Sequence, residues 1–307
     1  VDRRQRQMCI RDRVIRLRIL NGASQRAFNV GFSGDKAFYQ IASDGGILEK
    51  PVELTRLLLA PGERAEILLN LTSMQGDSVK LMSFASELPN GIYGATIPGM
   101  MSQFSLNGYN PNPLNGTNFS LLKIKVAAQS SDAVISIPAS LVTVNRLQAS
   151  SANVTRNLTL NASSMGMNQL NGDFTIGNTP FNLSTINHTV ILNDIEIWSI
   201  QNMSGISHPF HIHDVQFNIL DRNGVAPSKS EMGRKDVILI KPQETIRFIA
   251  KFADFADSTT PYMYHCHLLT HEDGGMMGQF IVKDTSSLSN ISDVKIDDVI
   301  LYPNPVS

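Results

Sequence analysis

The chain has 307 residues, enough for two domains of ordinary size. Its 26 basic and 27 acidic side chains leave a formal net charge of -1, which excludes a broad electropositive surface for nucleic acid. No apolar run reaches the roughly 18 residues a membrane span needs, so no span is expected, and the low charged fraction (17%) with abundant Asn, Ser, Thr and Gly fits a β-rich extracytoplasmic protein.

In chain order, residues 1–12 form a basic stretch without strand or helix periodicity and are expected to be a non-native or disordered start. Val14–Leu20 alternates in part and carries β-branched side chains, so it reads as a half-buried strand ending at the Asn21-Gly22 turn. Residues 37–42 form a second strand closed by Asp44-Gly45-Gly46. A third, over 64–69, leaves the Pro61-Gly62 turn. Residues 121–127 alternate cleanly. Residues 86–120, rich in Gly, Asn and Pro, read as long surface loops with a strand near 101–106. A first unit therefore covers 13–128, and 129–152 reads as a linker.

A second unit covers 153–283. Its strand candidates are 157–160, 189–192, 196–200, 210–220, 235–240, 245–252 and 278–282, with a tight turn at Asp221-Arg222-Asn223-Gly224. Short strands punctuated by Gly, Pro and Asn at this spacing predict an all-β chain of two β-sandwich domains. Residues 284–307 form a polar linker and the opening of a further segment. Val1 in place of an initiator Met, and a chain that stops just after Tyr302-Pro303-Asn304-Pro305, read as cut ends.

Six of the seven histidines fall in two short segments, His208-Pro209-Phe210-His211-Ile212-His213 and His265-Cys266-His267 with His271. The second cysteine, Cys9, is not expected to pair with Cys266, because that disulfide would consume the central residue of the cluster. In a strand, alternate side chains point to opposite faces, so Cys266 faces one way and His265 and His267 the other. A thiolate with two imidazoles and a weak thioether makes a blue-copper, or type 1, centre. His271 and Met276 lie close enough in the departing loop to join Cys266, Met277 being the rival thioether, and His208 supplies the second imidazole. On the other face, His211, His213, His265 and His267 converge and could hold further metal. Zinc is the other inorganic reading, but it leaves the thioether and the two His-x-His pairs unexplained.

The two segments resemble the His-Pro-x-His-x-His and His-Cys-His-x-x-x-His-x-x-x-x-Met motifs of the multicopper oxidases, specifically bacterial laccase-like and cuprous-oxidase-like members. Ile41-Ala42-Ser43-Asp44-Gly45-Gly46 and Pro61-Gly62-Glu63-Arg64 extend the resemblance to the family's middle cupredoxin domain, with 153–283 as the last. The resemblance implies two cupredoxin-like Greek-key β-sandwich domains. It also implies copper as cofactor: type 1 at His208, Cys266, His271 and Met276, type 2 at His211, and the type 3 pair at His213, His265 and His267.

Cys266 would then be the point of electron entry and transfer, and Glu272 a proton relay. The implied activity is oxidation of a phenolic, aromatic amine or Cu(I) reductant coupled to four-electron reduction of dioxygen to water. The family's cluster also takes histidines from a first cupredoxin domain. No His-x-His pair precedes residue 208, so that domain is expected to be missing here and this chain alone is expected to be inactive as an oxidase. A blue-copper electron-transfer protein and a copper nitrite reductase-like protein are the alternatives.

Asp214 departs from the family, where many members carry Gly, and Thr270 from the Glu of cuprous-oxidase-like members. Met165 and Met167 are weak candidates for substrate Cu(I). Residues 300–306 resemble the opening of the C-terminal sorting domain of Bacteroidetes, which implies a periplasmic or secreted location.

Overall fold

The computed structural model describes residues 6–10, 13–99, 112–162 and 173–285. Residues 101–106, Met165, Met167 and the segment 300–306 lie outside them.

Nine strands build the first unit. They are β1 (Arg6–Ile10), β2 (Val14–Leu20), β3 (Phe28–Phe32), β4 (Phe38–Ser43), β5 (Gly46–Leu54), β6 (Leu57–Leu59), β7 (Arg64–Asn70), β8 (Ser78–Ser83) and β9 (Phe119–Val126). One sheet has the order β2-β7-β4-β5 and the other β1-β9-β8-β3-β6, with β1 parallel to β9. In β7, Ala65, Ile67 and Leu69 point inward and alternate with half-exposed residues. They meet Phe32, Phe38, Val79 and Ile124 in a core between the sheets.

The second unit contains β10 (Val154–Ala162), β11 (Phe174–Ile176), β12 (His188–Ile191), β13 (Ile195–Asn202), β14 (His208–Ile212) and β15 (Asn218–Arg222). It continues through β16 (Val237–Ile240), β17 (Thr245–Lys251), β18 (Asp257–Cys266), α1 (Leu269–Asp273) and β19 (Met277–Lys283). The sheets have the orders β11-β10-β13-β17-β15 and β12-β19-β18-β14-β16. Trp198 is fully buried between Phe248, Phe252, Tyr264 and Phe280 at the centre of this core. Two cupredoxin-like Greek-key sandwiches result, as expected.

The expected strand over 210–220 is two strands in different sheets. Apolar residues alternate on both sides of the break, at 210 and 212 and again at 215, 217 and 219, but the phase shifts by one at Asp214, where the backbone turns. The Val215 amide donates to the His213 carbonyl at 2.9 Å, and Asp214 takes a φ of 72°. That left-handed conformation costs a non-glycine residue about 1–2 kcal/mol. Both Asp214 carboxylate oxygens are buried without a hydrogen-bond partner among the described residues. Burial and the nearby Asp254 push this carboxyl up to about 6.

The two units are joined by charge. Lys235, buried just before β16, places Nζ 2.7 Å from Asp44 Oδ2 and 3.1 Å from Glu63 Oε1, both in the first unit. Arg64, at the start of β7, grips both carboxylate oxygens of Asp236 at 2.6 Å. Removing the ammonium would strand two buried carboxylates. Lys235→Ala is therefore expected to cost about 3–5 kcal/mol, read as a lower urea midpoint in equilibrium unfolding.

Candidate metal centre

Strands β14 and β18 pair antiparallel with Phe210 opposite Cys266, His211 opposite His265 and Ile212 opposite Tyr264. Residues directly opposite share a face. Cys266 and Phe210 therefore point into the sandwich core, with His208 two residues along on the same side, while His211, His213 and His265 point out of it. The ladder ends at Cys266, but the His267 amide still donates to the Pro209 carbonyl at 2.7 Å.

On the core side, Cys266 Sγ lies 3.6 Å from His208 Nδ1 and 3.7 Å from His271 Nδ1, and the two nitrogens are 3.2 Å apart. All three residues are buried. His271 reaches this point because the departing loop folds back. It forms the single helical turn α1, where the sequence indicates only a loop. The Met276 amide then donates to the His271 carbonyl at 2.9 Å, and the Cys266 amide to the Met276 carbonyl at 3.0 Å. Met276 ends fully buried in the same core, whereas Met277 pairs opposite His265 and is partly exposed.

The remote nitrogens of both imidazoles are also engaged. His208 Nε2 is 2.7 Å from Ser204 Oγ, and His271 Nε2 is 3.4 Å from the Tyr93 hydroxyl. These contacts hold each ring with Nδ1 toward the thiol. Phe174 packs edge-on against His208 and tilted against His271, with centroids 4.8 and 4.4 Å away. Tyr93 and Phe174 escape sequence reasoning because they stand far from either motif, and Ser204, four residues before His208, carries no pattern that marks it.

On the outer side, donor atoms of His211, His213 and His265 lie within 4.8 Å of one another. His213 Nε2 faces His265 Nε2 at 3.3 Å. The His267 ring lies 5.8 Å from His211 and 5.6 Å from His265, centroid to centroid. His211 Nδ1 donates to the Asp236 carbonyl at 2.8 Å, which leaves its Nε2 lone pair free. His213 is exposed, so this face is open. Glu272, on α1, brings Oε2 to 3.3 Å from His265 Nδ1, and burial raises its carboxyl above the usual range. His188 lies apart, half-buried between Trp198 and Tyr264.

Electrostatics suit the donor set to a soft, redox-active metal. Burial lowers His208 well below its ordinary value and pushes His211 and His265 to about 4, so their lone pairs are free at neutral pH. Burial also raises the Cys266 thiol, which must lose its proton when a metal binds. One thiol and two imidazoles in a dry pocket match type 1 copper, and three converging imidazoles on the opposite face match part of a trinuclear cluster.

The comparisons agree with this geometry. Residues 142–286 match the family model described as multicopper oxidase. The chain is 32% identical over 272 residues to "Multicopper oxidase mco" of Staphylococcus haemolyticus, a match covering 87% of this chain and 48% of that protein. A solved bacterial laccase-like multi-copper oxidase CueO from Ochrobactrum sp. superposes with a TM-score of 0.74 at 28% identity, covering 91% of this chain and 57% of that one. Residues 142–286 therefore carry a multicopper oxidase domain, and the chain is similar over most of its length to members of that family.

It spans about half the length of the curated relatives it matches. Another relative, "Cell division protein FtsP" of Proteus mirabilis, is 29% identical over 86% of this chain and 50% of its own length. The names carried on this fold therefore differ, and the donor atoms, not the fold, identify the copper chemistry.

The depressed histidines set a pH dependence. The unfolded chain binds their protons near the ordinary value of about 6.5, while the folded, metal-free chain holds His188, His211 and His265 neutral down to about 4. Between these limits the unfolded state binds more protons, so this stability is fully present above the upper limit and falls with pH through the window. Denaturant unfolding of metal-free protein at pH 7.5, 6, 5 and 4 is expected to show a monotonic fall in midpoint below about pH 6.5.

Proposed function

We propose that the chain is the copper-bearing part of an oxidase that oxidises a small phenolic, aromatic amine or Cu(I) reductant and reduces dioxygen to water. The observation carrying this reading is the split of donors by β14 and β18, with sulfur and two imidazoles inside and four imidazoles outside. A carrier with one copper would leave the outer histidines without a task.

His208, Cys266 and His271 hold type 1 copper, with the buried thioether of Met276 as the weak fourth ligand. His211 serves type 2 copper, and His213, His265 and His267 serve the type 3 pair. When bound, copper supplies one-electron oxidation of the reductant at the first centre and oxygen reduction at the second. Cys266 links them, being a ligand of one centre through Sγ and peptide-bonded to His265 and joined directly to His267. Phe174, Phe210 and the surrounding core exclude water from the sulfur. Glu272 places Oε2 3.3 Å from His265 Nδ1, and its half-exposed position would let it pass protons between solvent and the outer face.

A further cupredoxin domain supplies the remaining imidazoles to the open face where His213 is exposed. The chain acts outside the cytoplasm, a reading supported by the sequence pattern of residues 300–306. Among the described residues no helix is long and apolar enough to cross a membrane.

Copper counting with electron paramagnetic resonance tests the assignment. The chain alone is expected to show a type 1 signal and intense visible absorption with little oxygen uptake. Joined to a cupredoxin domain carrying two His-x-His motifs, it is expected to hold four coppers, show an added type 2 signal and consume oxygen. One copper with a type 1 signal alone in the joined protein would establish an electron carrier instead.

A further inference from the structure

The outer histidines are held by more than their own sheet. The turn at residues 60–64, contributed by the first sandwich, lies directly against them. Gly62 has a φ of 84°, and its amide donates to the Asn21 carbonyl at 3.0 Å. A Cβ added there would sit 2.6 Å from Cδ2 and 2.7 Å from Nε2 of His267. The first unit's backbone thus rests on that ring with no space for a methyl group.

Two residues further on, Arg64 grips Asp236 through both guanidinium nitrogens. The same nitrogens donate to the Gly62 and Asp44 carbonyls at 3.0 Å, so the fork is tied to its own turn. Glu63 accepts from the Ala60 amide at 2.6 Å and contacts Lys235, the residue before Asp236. Both 235 and 236 are therefore pinned from the first unit. The Asp236 carbonyl is the acceptor for His211 Nδ1. A carbonyl cannot donate, so this contact selects the tautomer of His211 that directs its free Nε2 toward His213 and His265.

We propose that the 60–64 turn positions two ligands of the outer cluster: Gly62 sets the ring plane of His267, and Arg64, acting through Asp236, sets the tautomer and direction of His211. The first sandwich is then part of the copper site although it contributes no ligand to it. The inference rests on the reading that the four-histidine face takes copper, but its first test needs no metal.

Nuclear magnetic resonance of the metal-free, ring-15N-histidine-labelled chain is expected to show a single Nδ1–H tautomer for His211. Arg64→Ala is expected to yield a mixture, and Arg64→Lys, which restores one of the two contacts, to recover the single tautomer in part. A single tautomer retained in Arg64→Ala would overturn the proposal for His211. Cupric titration of the chain joined to a cupredoxin domain carrying two His-x-His motifs gives the second measurement. Arg64→Ala and Gly62→Ala are each expected to weaken copper binding at the outer face about tenfold to a hundredfold, with the type 1 absorption unchanged as the control for folding of the second unit.

Outer-face affinity within twofold of wild type in both variants would overturn the proposal. Should Arg64→Ala also lose the type 1 absorption, Gly62→Ala, which removes no charged group, decides by the same affinity criterion. A chain that takes up copper only at Cys266 even when joined to a cupredoxin domain carrying two His-x-His motifs would defeat the functional reading, and the tautomer of His211 would still decide the clamp.

Discussion

The pairing of β14 with β18 is the constraint on which everything else rests. Because His211 stands opposite His265 and Phe210 opposite Cys266, sulfur and nitrogen are allotted to opposite sides of one sheet. A slip of one residue would invert the relative facing of the two strands, bringing Cys266 against His211 and separating it from His208. The register is held by burial of Phe210, Ile212 and Tyr264, side chains that could not be turned outward without losing core contacts.

Each face then has its own support. Inside, hydrophobic packing of the second sandwich keeps the imidazoles neutral, and Ser204 and Tyr93 fix their remote nitrogens. Outside, the support is ionic and comes from the first sandwich. The contrast follows from exposure: an apolar core can close around three ligands, but an open face must be held by contacts that tolerate water, and bidentate Arg–carboxylate pairs are of that kind.

Much of this is legible in the sequence. Alternation over Val14–Leu20 and 64–69 locates β2 and β7, and the spacing of His265, Cys266 and His267 fixes their facing before any fold is known. The failures share one cause, which is that local pattern does not record where the backbone turns. Phe210 to Leu220 stays apolar at every second or third position, with only a one-residue shift of phase at the left-handed Asp214, so one expected strand became two. α1 has five residues and no side-chain cap, and it is held by tertiary contacts such as the Leu269 amide on the Ser24 carbonyl. Residues 6–10, without visible strand periodicity, pair in parallel with β9. Ser204, Tyr93 and Asp236 become neighbours of the ligands only through folding.

The raised Cys266 thiol has a consequence for the chain before it meets copper. The species that peroxides and disulfides attack is the thiolate, and access matters as much as charge. Cys266 is 1% exposed and kept in its protonated form by the surrounding apolar side chains. Burial and the protonated state both disfavour attack on the sulfur, so the fold shields Cys266 from conversion to sulfenic acid or a mixed disulfide. The apolar wall around the thiol and the two imidazoles is thus also a barrier to oxidants.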